Sequence, residues 1–567
     1  MSQESGAPST LSINKKFVND AIELIRSGAQ AVLVPSRDEK SLQALFITIA
    51  ETINEEIKKN GRPASDEMEV IIWDSIYGFW KAKDAEVLQV PNGTNMKAAL
   101  TALVSNDPKA FPIRNAIVVM MNAHDHLNGI LNTGERRVLA MGARNNMFMR
   151  MQKINKVNVH VRRPVFLIQP DNRIHNDISD CVNLLRYDLP GHDELLEVLN
   201  SISATLPPER VNLNDQDKYE IAQSMKGLTI SRSYDVMSLA TVKNRGVSIG
   251  VLPVIQGLKS DMIAMSNRAL NFIPFDEVIK KPGVVGFDNL VDYVGTRAQA
   301  YSVEAIGHDL DFPKGVVLAG IPGTGKTMAA YMLARRLRLP LIKYNVGALY
   351  ASAVGASEEM ARDAHRIITR QDGSVVFIDE ADKMFNSIID GKNDGGVGQR
   401  VFSEILTWIA EKNDRNLVVM ALNRFDGIPD ELFRKGRFDE LFYIDLPNAE
   451  QRQQIFELHM RDKKLDPAEY QNGMDELVEA TKNFVGAEIK QVIIDARAHQ
   501  FEISNRKSAK PPIDMLISIA KRIAPFTQHV VTGGEMQGFD NIRKRSRPVY
   551  SDDRPFEVKR KNVQSVA

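Results

Sequence analysis

The segment that most constrains the fold of this chain is residues 320–327, Gly-Ile-Pro-Gly-Thr-Gly-Lys-Thr. It follows an apolar run at 315–319 and precedes helix-forming residues at 328–337, which is the order strand, loop, helix. Glycines at this spacing let the backbone turn sharply and direct its N–H groups at phosphates. The sequence therefore predicts a loop that binds ATP or GTP at the start of a helix.

Two side chains of this loop are predicted to act on the nucleotide directly. Lys326 is expected to reach the β- and γ-phosphates, and the Thr327 hydroxyl is expected to bind Mg²⁺. The remaining residues predicted to contact the nucleotide from this segment are Ile321, Pro322, Gly323, Thr324, Gly325 and Met328.

Two acids follow the next predicted buried strand. The segment 374–380 reads Ser-Val-Val-Phe-Ile-Asp-Glu, so Asp379 and Glu380 emerge at the carboxyl end of an apolar strand. Asp379 is predicted to bind the Mg²⁺ and its water shell, and Glu380 to polarise the attacking water. A further strand at 416–423 ends in Asn423, whose amide can bond both water and the γ-phosphate.

The order of these segments resembles the AAA+ ATPases, specifically their AAA clade. After Asn423 comes Arg-Lys-Gly-Arg-Phe-Asp at 434–439, then a strand that ends in Asp-Leu-Pro at 445–447. The resemblance implies that Arg434 and Arg437 reach the nucleotide of a neighbouring subunit, so that hydrolysis depends on ring assembly. It also implies a homo-oligomer, with a hexameric ring expected.

The resemblance also implies residues that contact the base. Helical patterns at 449–462, 473–482, 486–504 and 511–524 predict a small helical lid. Within it, Gly486 and Ala487 resemble the second sensor segment, which packs near the adenine in the family. Val285 and Gly286 resemble the segment that touches the base from the opposite side. These contacts favour ATP over GTP, with Mg²⁺ as the metal.

A narrower resemblance is to AAA+ ATPases encoded as an open reading frame in plastids and cyanobacteria. It rests on residues 354–358, 407–412 and 434–447, and it extends from about residue 20 to about residue 520. In AAA-clade translocases an aromatic pore loop follows the second strand. Ala353 takes the usual aromatic position here, so Tyr350 and Val354 are the pore-loop candidates, and threading of a client is left open.

The first half of the chain is predicted to be a degenerate repeat of the second half. Aligned by eye, Asn122 and Ala123 lie over Asp379 and Glu380. Asn122 is 66 residues before Asp188, and Asp379 is 66 residues before Asp445. The strand at 29–35 leads into a segment without glycine, and no Arg-x-Gly-Arg precedes Asp188. Residues 206–270 are expected to form the helical subdomain of this domain, and residues 227–229 are expected to correspond to residues 485–487.

These patterns predict an α/β fold: a P-loop AAA+ module, made of a parallel sheet flanked by helices plus a helical lid, preceded by a degenerate AAA+-like domain with its own helical subdomain. The predicted boundaries are a disordered segment (1–14), a nucleotide-free α/β domain (15–205), a helical subdomain (206–270), a large ATPase subdomain (271–447), a lid (448–525) and a basic disordered tail (526–567).

Composition narrows the classes of function. The chain has 567 residues, with 72 Lys and Arg against 72 Asp and Glu, so bulk charge favours neither nucleic acid nor membrane. One cysteine, Cys181, excludes an internal disulfide framework. A polar N-terminus and the lack of a long apolar run predict a cytoplasmic protein without a membrane partner.

The predicted function is Mg-ATP-dependent remodelling or disassembly of an unnamed protein client by a ring. One alternative is a nucleic-acid-associated motor or loader, supported only by the basic tail and by a basic stretch at 144–163 that is expected to be a solvated amphipathic helix. The other is a nucleotide-gated scaffold that threads nothing.

Overall fold

The computed structural model describes residues 14–105, 107–128, 132–154, 157–301, 308, 311–350, 356–384, 397–423, 432, 434, 436–525 and 546–550. The chain forms two compact units, Met1–Leu252 and Pro253–Ala567. The predicted boundary after residue 270 lies 18 residues beyond the observed one: residues 253–270 belong to the second unit, where the strand Leu270–Ile273 pairs with Leu341–Tyr344. The hydroxyl of Ser260, on the preceding helix, donates to the Phe272 carbonyl oxygen at 2.7 Å.

The first unit is built around a sheet whose strand order, within the described residues, is β3-β2-β4-β7-β1-β8. All neighbours are parallel except β3, which pairs antiparallel with β2. The strands of this unit are β1 (Ala31–Pro35), β2 (Glu69–Asp74), β3 (Gly78–Lys81), β4 (Ala116–Met120), β5 (Met149–Ile154), β6 (Val157–Arg162), β7 (Val165–Gln169), β8 (Asn183–Leu184), β9 (Val211–Asn212) and β10 (Val247–Ser248).

Helices cover both faces of this sheet. Alternate residues of β1 enter opposite cores: Val32 and Val34 pack with one cluster, and Ala31 and Leu33 with the other. The helices are α1 (Lys15–Arg26), α2 (Glu39–Lys59), α3 (Met96–Val104), α4 (His124–Leu127), α5 (Thr133–Arg144), α6 (His192–Ala204), α7 (Asp215–Ser224) and α8 (Ile230–Asn244).

The basic stretch at 144–163 is not the predicted helix. Strands β5 and β6 form an antiparallel hairpin there. Its flanking cations also serve the fold: Arg144 pairs with Asp180 at 2.7 Å, and the buried Arg163 donates to the carbonyl oxygens of Ile113 and Leu103. Burial lowers the pKa of Arg163 to about 10. A cation that is buried and bonded inside the fold is not available to an outside polyanion, so Arg163 does not support nucleic-acid binding, whereas Arg144 is exposed.

The second unit has a sheet of order β11-β13-β14-β15-β12-β16-β17 in the part of the chain that the structure describes. Only β11 runs antiparallel to its neighbour. The strands are β11 (Leu270–Ile273), β12 (Gly315–Gly320), β13 (Leu341–Tyr344), β14 (Val375–Ile378), β15 (Leu417–Leu422), β16 (Glu440–Ile444) and β17 (Arg547–Pro548).

Helices also cover both faces of the second sheet and continue into a lid. The lid helices agree with the predicted spans to within two residues. The first lid helix begins after Asn448, because the Asn448 side chain accepts from Gln451 N at 2.8 Å in a capping box. The helices are α9 (Leu252–Ser266), α10 (Phe275–Ile279), α11 (Asp288–Arg297), α12 (Lys326–Leu337), α13 (Gly347–Tyr350), α14 (Ala356–Gln371), α15 (Val397–Glu411), α16 (Ala449–Asp462), α17 (Met474–Ala480), α18 (Gly486–Ile503) and α19 (Ile513–Arg522).

The two sheets share one topology. In the first unit β1 lies between β7 and β8, and in the second β12 lies between β15 and β16. On the other side the order continues through β4 and β2, or through β14 and β13, to an antiparallel edge strand. The predicted α/β class, with a mostly parallel sheet between helices, is confirmed.

The alignment of the two halves by sequence was off by one residue. Ala123 N donates to Ile168 O as Ala381 N donates to Ala421 O, at the same place in the strand register. Asn122 and Glu380 precede these alanines, and both have a positive φ, 52° and 49°. Asn122 therefore stands at the position of Glu380, and the buried Met121 stands at that of Asp379.

Part of the predicted disordered tail is a strand. Residues 546–550 are described, and β17 pairs in parallel with β16 at the edge of the second sheet. Val549 is fully buried, and the Tyr550 ring packs edge-on against Phe287 at 5.8 Å. Asn289 donates to the carbonyl oxygens of Pro548 and Tyr550. The predictions of disorder for 1–13, 526–545 and 551–567 lie outside the described residues.

Replacing Tyr550 by alanine is expected to destabilise the second unit by about 3 kcal/mol, because a buried aromatic ring is lost and a cavity remains. Thermal or urea unfolding of the full chain measures this change. Phe501→Ala is the matched control, since Phe501 is 44% exposed, and its change is expected to stay within about 0.5 kcal/mol. Equal effects of the two substitutions would contradict a structural role for the β17 segment.

Candidate active site

The predicted phosphate loop lies between β12 and α12. Helix α12 begins at Lys326, and Gly325 is its N-cap with a φ of 102°. Lys326 is only 5% exposed, and its ammonium donates to the carbonyl oxygens of Gly320 at 2.7 Å and Ile321 at 3.0 Å. The first amides of a helix have no intrahelical acceptor, so α12 presents N–H groups at the same place. Loop and helix together make an anion-binding site.

The lid contacts this loop directly. Ala487 N, at the start of α18, donates to Gly323 O at 3.1 Å. Gly323 has a φ of 85°, and a Cβ there would lie 2.8 Å from Val485 Cγ2 and 3.2 Å from Ala487 Cβ. Only glycine fits both the backbone conformation and the close approach. Gly486 and Ala487, predicted from the sequence, therefore lie beside the loop.

The segment predicted to touch the base lies on the same loop. A Cβ at Gly325 would lie 3.6 Å from the Phe287 ring, which follows Val285 and Gly286 directly. Gly286 has a φ of 74°, and a Cβ there would come within 2.6 Å of Gln451 Nε2 on the first lid helix. Residues 285–287 thus meet the phosphate loop and the lid together.

The two acids lie at the end of β14, next to the central strands. Asp379 Oδ1 accepts from the Glu380 amide at 2.9 Å, and Glu380 forms an ion pair with Lys383. A glutamate with a φ of 49° is uncommon, and such backbone strain is concentrated at functional sites. The conformation turns the Glu380 side chain out of the strand direction and leaves both acids accessible.

Sequence reasoning missed Asp382. This acid is 6% exposed, and its Oδ1 accepts from the Asn423 amide at 3.0 Å. It therefore fixes the end of β15 relative to β14 and places Asn423 beside the acids. The signal was present in the sequence as a third acid two residues after Glu380, but its burial could not be read from that spacing.

The electrostatics of the site connect Lys326 to these acids. Burial lowers the pKa of Lys326 to about 8, while Asp379, Asp382 and Glu380 partly offset the shift by favouring the ammonium. Partial desolvation in the cleft raises the pKa of Asp379, and the adjacent Glu380 charge adds to that rise. An incoming polyanion would therefore stabilise the charge of Lys326, and an incoming cation would stabilise that of Asp379.

The segment that carries Arg437 lies at the other end of the sheet. Asp439 N donates to Gly315 O at 2.8 Å, and Gly315 N donates to Asp439 Oδ2, so the segment 436–439 borders the amino end of β12. Lys314 Nζ also donates to Gly436 O at 3.0 Å. The phosphate loop follows the carboxyl end of β12, about 16 Å away along the strand. Arg434 is exposed and Arg437 is partly buried.

The pore-loop candidates are only partly described. Tyr350 ends helix α13, and its side chain lies outside the described set; Val354 lies outside the described residues altogether. Helix α15 begins at Val397, and Arg400 on this helix pairs with Glu358 of its own chain at 2.7 Å.

The comparisons with known proteins agree with this geometry. Residues 316–446 match the family model described as the ATPase family associated with various cellular activities (AAA). This chain contains an AAA-type ATPase domain. The domain begins one residue into β12 and ends just past β16, so it comprises the phosphate loop, the acids, Asn423 and the arginines.

Similar proteins extend beyond the ATPase domain. An uncharacterized AAA domain-containing protein, ycf46, of Guillardia theta is 29% identical over 463 residues, which is 81% of this chain and 84% of the relative. The ycf46 protein of Pyropia yezoensis is 27% identical over 511 residues, or 90% of this chain and 94% of the relative. The resemblance to plastid-type AAA+ ATPases is thereby confirmed.

A third relative matches a shorter part of the chain. Proteasome-activating nucleotidase 1 of Haloferax volcanii is 33% identical over 191 residues, which is 33% of this chain and 46% of the relative. The AAA domain with these relatives establishes an ATPase that binds nucleotide. The described helices include none with the length and apolar character needed to cross a membrane.

Gly323→Ala is expected to weaken nucleotide binding at least tenfold, because a methyl group at a φ of 85° and 2.8 Å from Val485 forces the loop or the lid to move. Titration with a fluorescent ATP analogue measures the affinity. Gly295→Ala in α11 is the control, since no heavy atom lies within 4 Å of its added methyl group. Parental affinity in the Gly323 variant would show that the loop needs no glycine there.

Nucleotide binding is expected to take up a proton at alkaline pH. The lowered pKa of Lys326, about 8, leaves much of the side chain neutral at pH 8.5, and a bound triphosphate would favour the ammonium. Uptake is expected to be roughly 0.5 to 1 proton at pH 8.5 and near zero at pH 7, with affinity falling as pH rises above 8. Calorimetry in two buffers of different ionisation enthalpy measures it. No uptake at pH 8.5 would contradict a neutralised lysine.

Proposed function

We propose that this chain is an Mg-ATP-dependent ring ATPase that remodels or disassembles a protein or protein complex and hydrolyses ATP at the interfaces between subunits. A homo-oligomeric ring, expected to be hexameric, is the active form. The client is a protein. Within each site, residues of one subunit bind the nucleotide and arginines of the next subunit complete it.

The observation that carries this proposal is the separation of the arginines from the phosphate loop of their own chain. The segment 436–439 is bonded to the amino end of β12 and the loop follows the carboxyl end. The length of β12, about 16 Å, exceeds what an arginine side chain spans. Arg437, inside this segment, therefore cannot reach the phosphate loop of its own chain, but a second copy could bring it, together with Arg434, to that loop.

The residues around the loop fit a magnesium-bound triphosphate. Lys326 and the amides of α12 would supply positive charge for phosphates, and Thr327 and Asp379 would be the oxygen ligands of Mg²⁺. Glu380 is accessible beside Asp379 and would act as the base that polarises water. Asn423, placed by Asp382, would sense the γ-phosphate. Val285, Gly286, Gly486 and Ala487 would border the adenine.

The name of one relative supports a protein client. A third of the chain resembles a proteasome-activating nucleotidase, a protein that by its name activates a proteasome. Tyr350 and Val354 are proposed to touch the client, since they follow β13 in the way a pore loop does. The nucleic-acid alternative gains no support from Arg163, which is buried and donates to carbonyl oxygens of its own unit.

The first unit is proposed to be an AAA+-like layer that binds no nucleotide. It has the strand order of the second unit, but Met121 and Asn122 replace the acids. Three residues, 36–38, join β1 to α2, where five, 321–325, join β12 to α12. A loop this short and without glycine cannot wrap phosphates. The layer would serve as a scaffold or as a docking surface for the client.

The test of shared sites mixes two inactive variants. A double Arg434→Ala, Arg437→Ala variant and a Glu380→Gln variant are each expected to lose ATP turnover by a factor of about 10³ or more. Mixed before assembly, the intact phosphate site of one variant meets the arginines of the other. About a quarter of randomly formed interfaces should then be productive, and ATPase assays should detect the recovered turnover.

Arg461→Ala is the control for this experiment, because Arg461 is exposed and pairs only locally with Glu457 among the contacts described. It is expected to keep parental turnover. A mixture no more active than its components, or parental activity in the double arginine variant, would rule out completion of the site by a neighbour.

A further inference from the structure

Asp38 occupies a special position in the first unit. It follows β1, caps the N-terminus of α2, and is only 3% exposed. Its Oδ1 accepts from Ser41 N at 3.3 Å and from the Ser231 hydroxyl at 2.6 Å, and its Oδ2 accepts from Ser231 N at 3.3 Å. Ser231 lies 193 residues further along the chain, in the first turn of α8. One carboxylate therefore joins two helix N-termini.

The second unit has the same arrangement without the carboxylate. There, α12 follows β12, and the second residue of α18, Ala487, donates its amide to Gly323 O of the loop. In the first unit, Ser231 is the second residue of α8, and its amide is bonded to Asp38. Asp38 thus lies where the loop after β1 meets the start of α8. The corresponding junction in the second unit, between the loop after β12 and the start of α18, adjoins the predicted phosphate site.

Electrostatics explain why an anion belongs there. The N-terminus of a helix carries a partial positive charge and unpaired amides, and two such termini facing one point repel each other unless an anion lies between them. The hydroxyls of Ser41 and Ser231 lie 3.0 Å apart and add further donors around the carboxylate. In the second unit the phosphates of a nucleotide would supply this charge.

We propose that Asp38 is a built-in anion that takes the place of a nucleotide phosphate in the first unit and holds α8 on the loop after β1. The helical part of this unit is then closed at all times, whatever nucleotide the second unit binds. This inference extends the proposal that the first unit binds no nucleotide, and the experiment below separates the two.

Hydrogen–deuterium exchange of the full-length protein tests the role of Asp38. In Asp38→Ala, amides of residues 230–244 are expected to exchange about tenfold faster, because the charged link between the two helices is lost. Sodium formate, which supplies a free carboxylate of the missing size, is expected to reverse much of this increase, and sodium chloride at equal ionic strength is not. Asp38→Asn, which keeps the shape but not the charge, is expected to show an intermediate increase.

Asn95→Ala is the matched control. Asn95 caps α3 of the same unit, and its one described side-chain contact is with Ala98 N of its own helix. It is expected to leave exchange at 230–244 unchanged. Unchanged exchange in both Asp38 variants would overturn the inference, as would faster exchange that formate does not slow, since Asp38 would then be an ordinary helix cap.

Failure of the underlying proposal has a different signature. ATP added to a Lys326→Ala variant, whose own phosphate site is disabled, should leave exchange at 230–244 unchanged. Protection of that segment by ATP would show that the first unit binds nucleotide, whatever the Asp38 variants do.

Discussion

The contact between the phosphate loop and the first turn of α18 is the interaction on which the second unit depends. It is a single backbone hydrogen bond, Ala487 N to Gly323 O at 3.1 Å, between segments 164 residues apart. Because Gly323 has no side chain, the loop and the lid approach each other closely. Together with residues 285–287 they surround the predicted nucleotide site. A movement of the loop would therefore disturb this contact with the lid, which is how a bound phosphate could influence the lid.

The strand β12 sets the second constraint. Its carboxyl end leads into the phosphate loop, and its amino end is bonded through Gly315 to Asp439, two residues after Arg437. The length of β12 therefore separates the predicted phosphate loop from the segment whose arginines would complete a neighbour's site. A lid movement on one side and an arginine contact on the other are then linked through a rigid, fully buried strand.

The elements that could be predicted from the sequence were those whose chemistry depends on local spacing. The phosphate loop, the acids 379–380 and the four lid helices follow from short motifs and from 3.6-residue periodicity. The hairpin at 149–162 was missed because its cations suggested a solvated helix, while Arg163 turns inward to carbonyl groups that no local pattern reveals. The edge strand β17 was missed because charge dominates its surroundings, and its partner β16 lies about a hundred residues earlier.

The candidate site shows the same division. Lys326, Asp379 and Glu380 are recognisable because each sits beside a turn or a strand end, but Asp382 acts through Asn423, and Asp38 acts through Ser231. Both are buried acids whose partners are distant in sequence. The misalignment of Asn122 with Asp379 had a similar origin, because the equal 66-residue spacings say nothing of the hydrogen-bond register, which places Asn122 at the position of Glu380.

Comparison of the two units gives a physical reason for keeping both. A loop–lid junction needs a negative charge between helix N-termini, and the two units meet this need in different ways. An aspartate belongs to the chain and cannot leave, so the junction it fills is static. A nucleotide can be exchanged and cleaved, so the junction it fills can alternate between states. A ring built from such pairs would combine a layer of constant shape with a layer whose shape follows the nucleotide, and force on a client requires both a moving part and a fixed one.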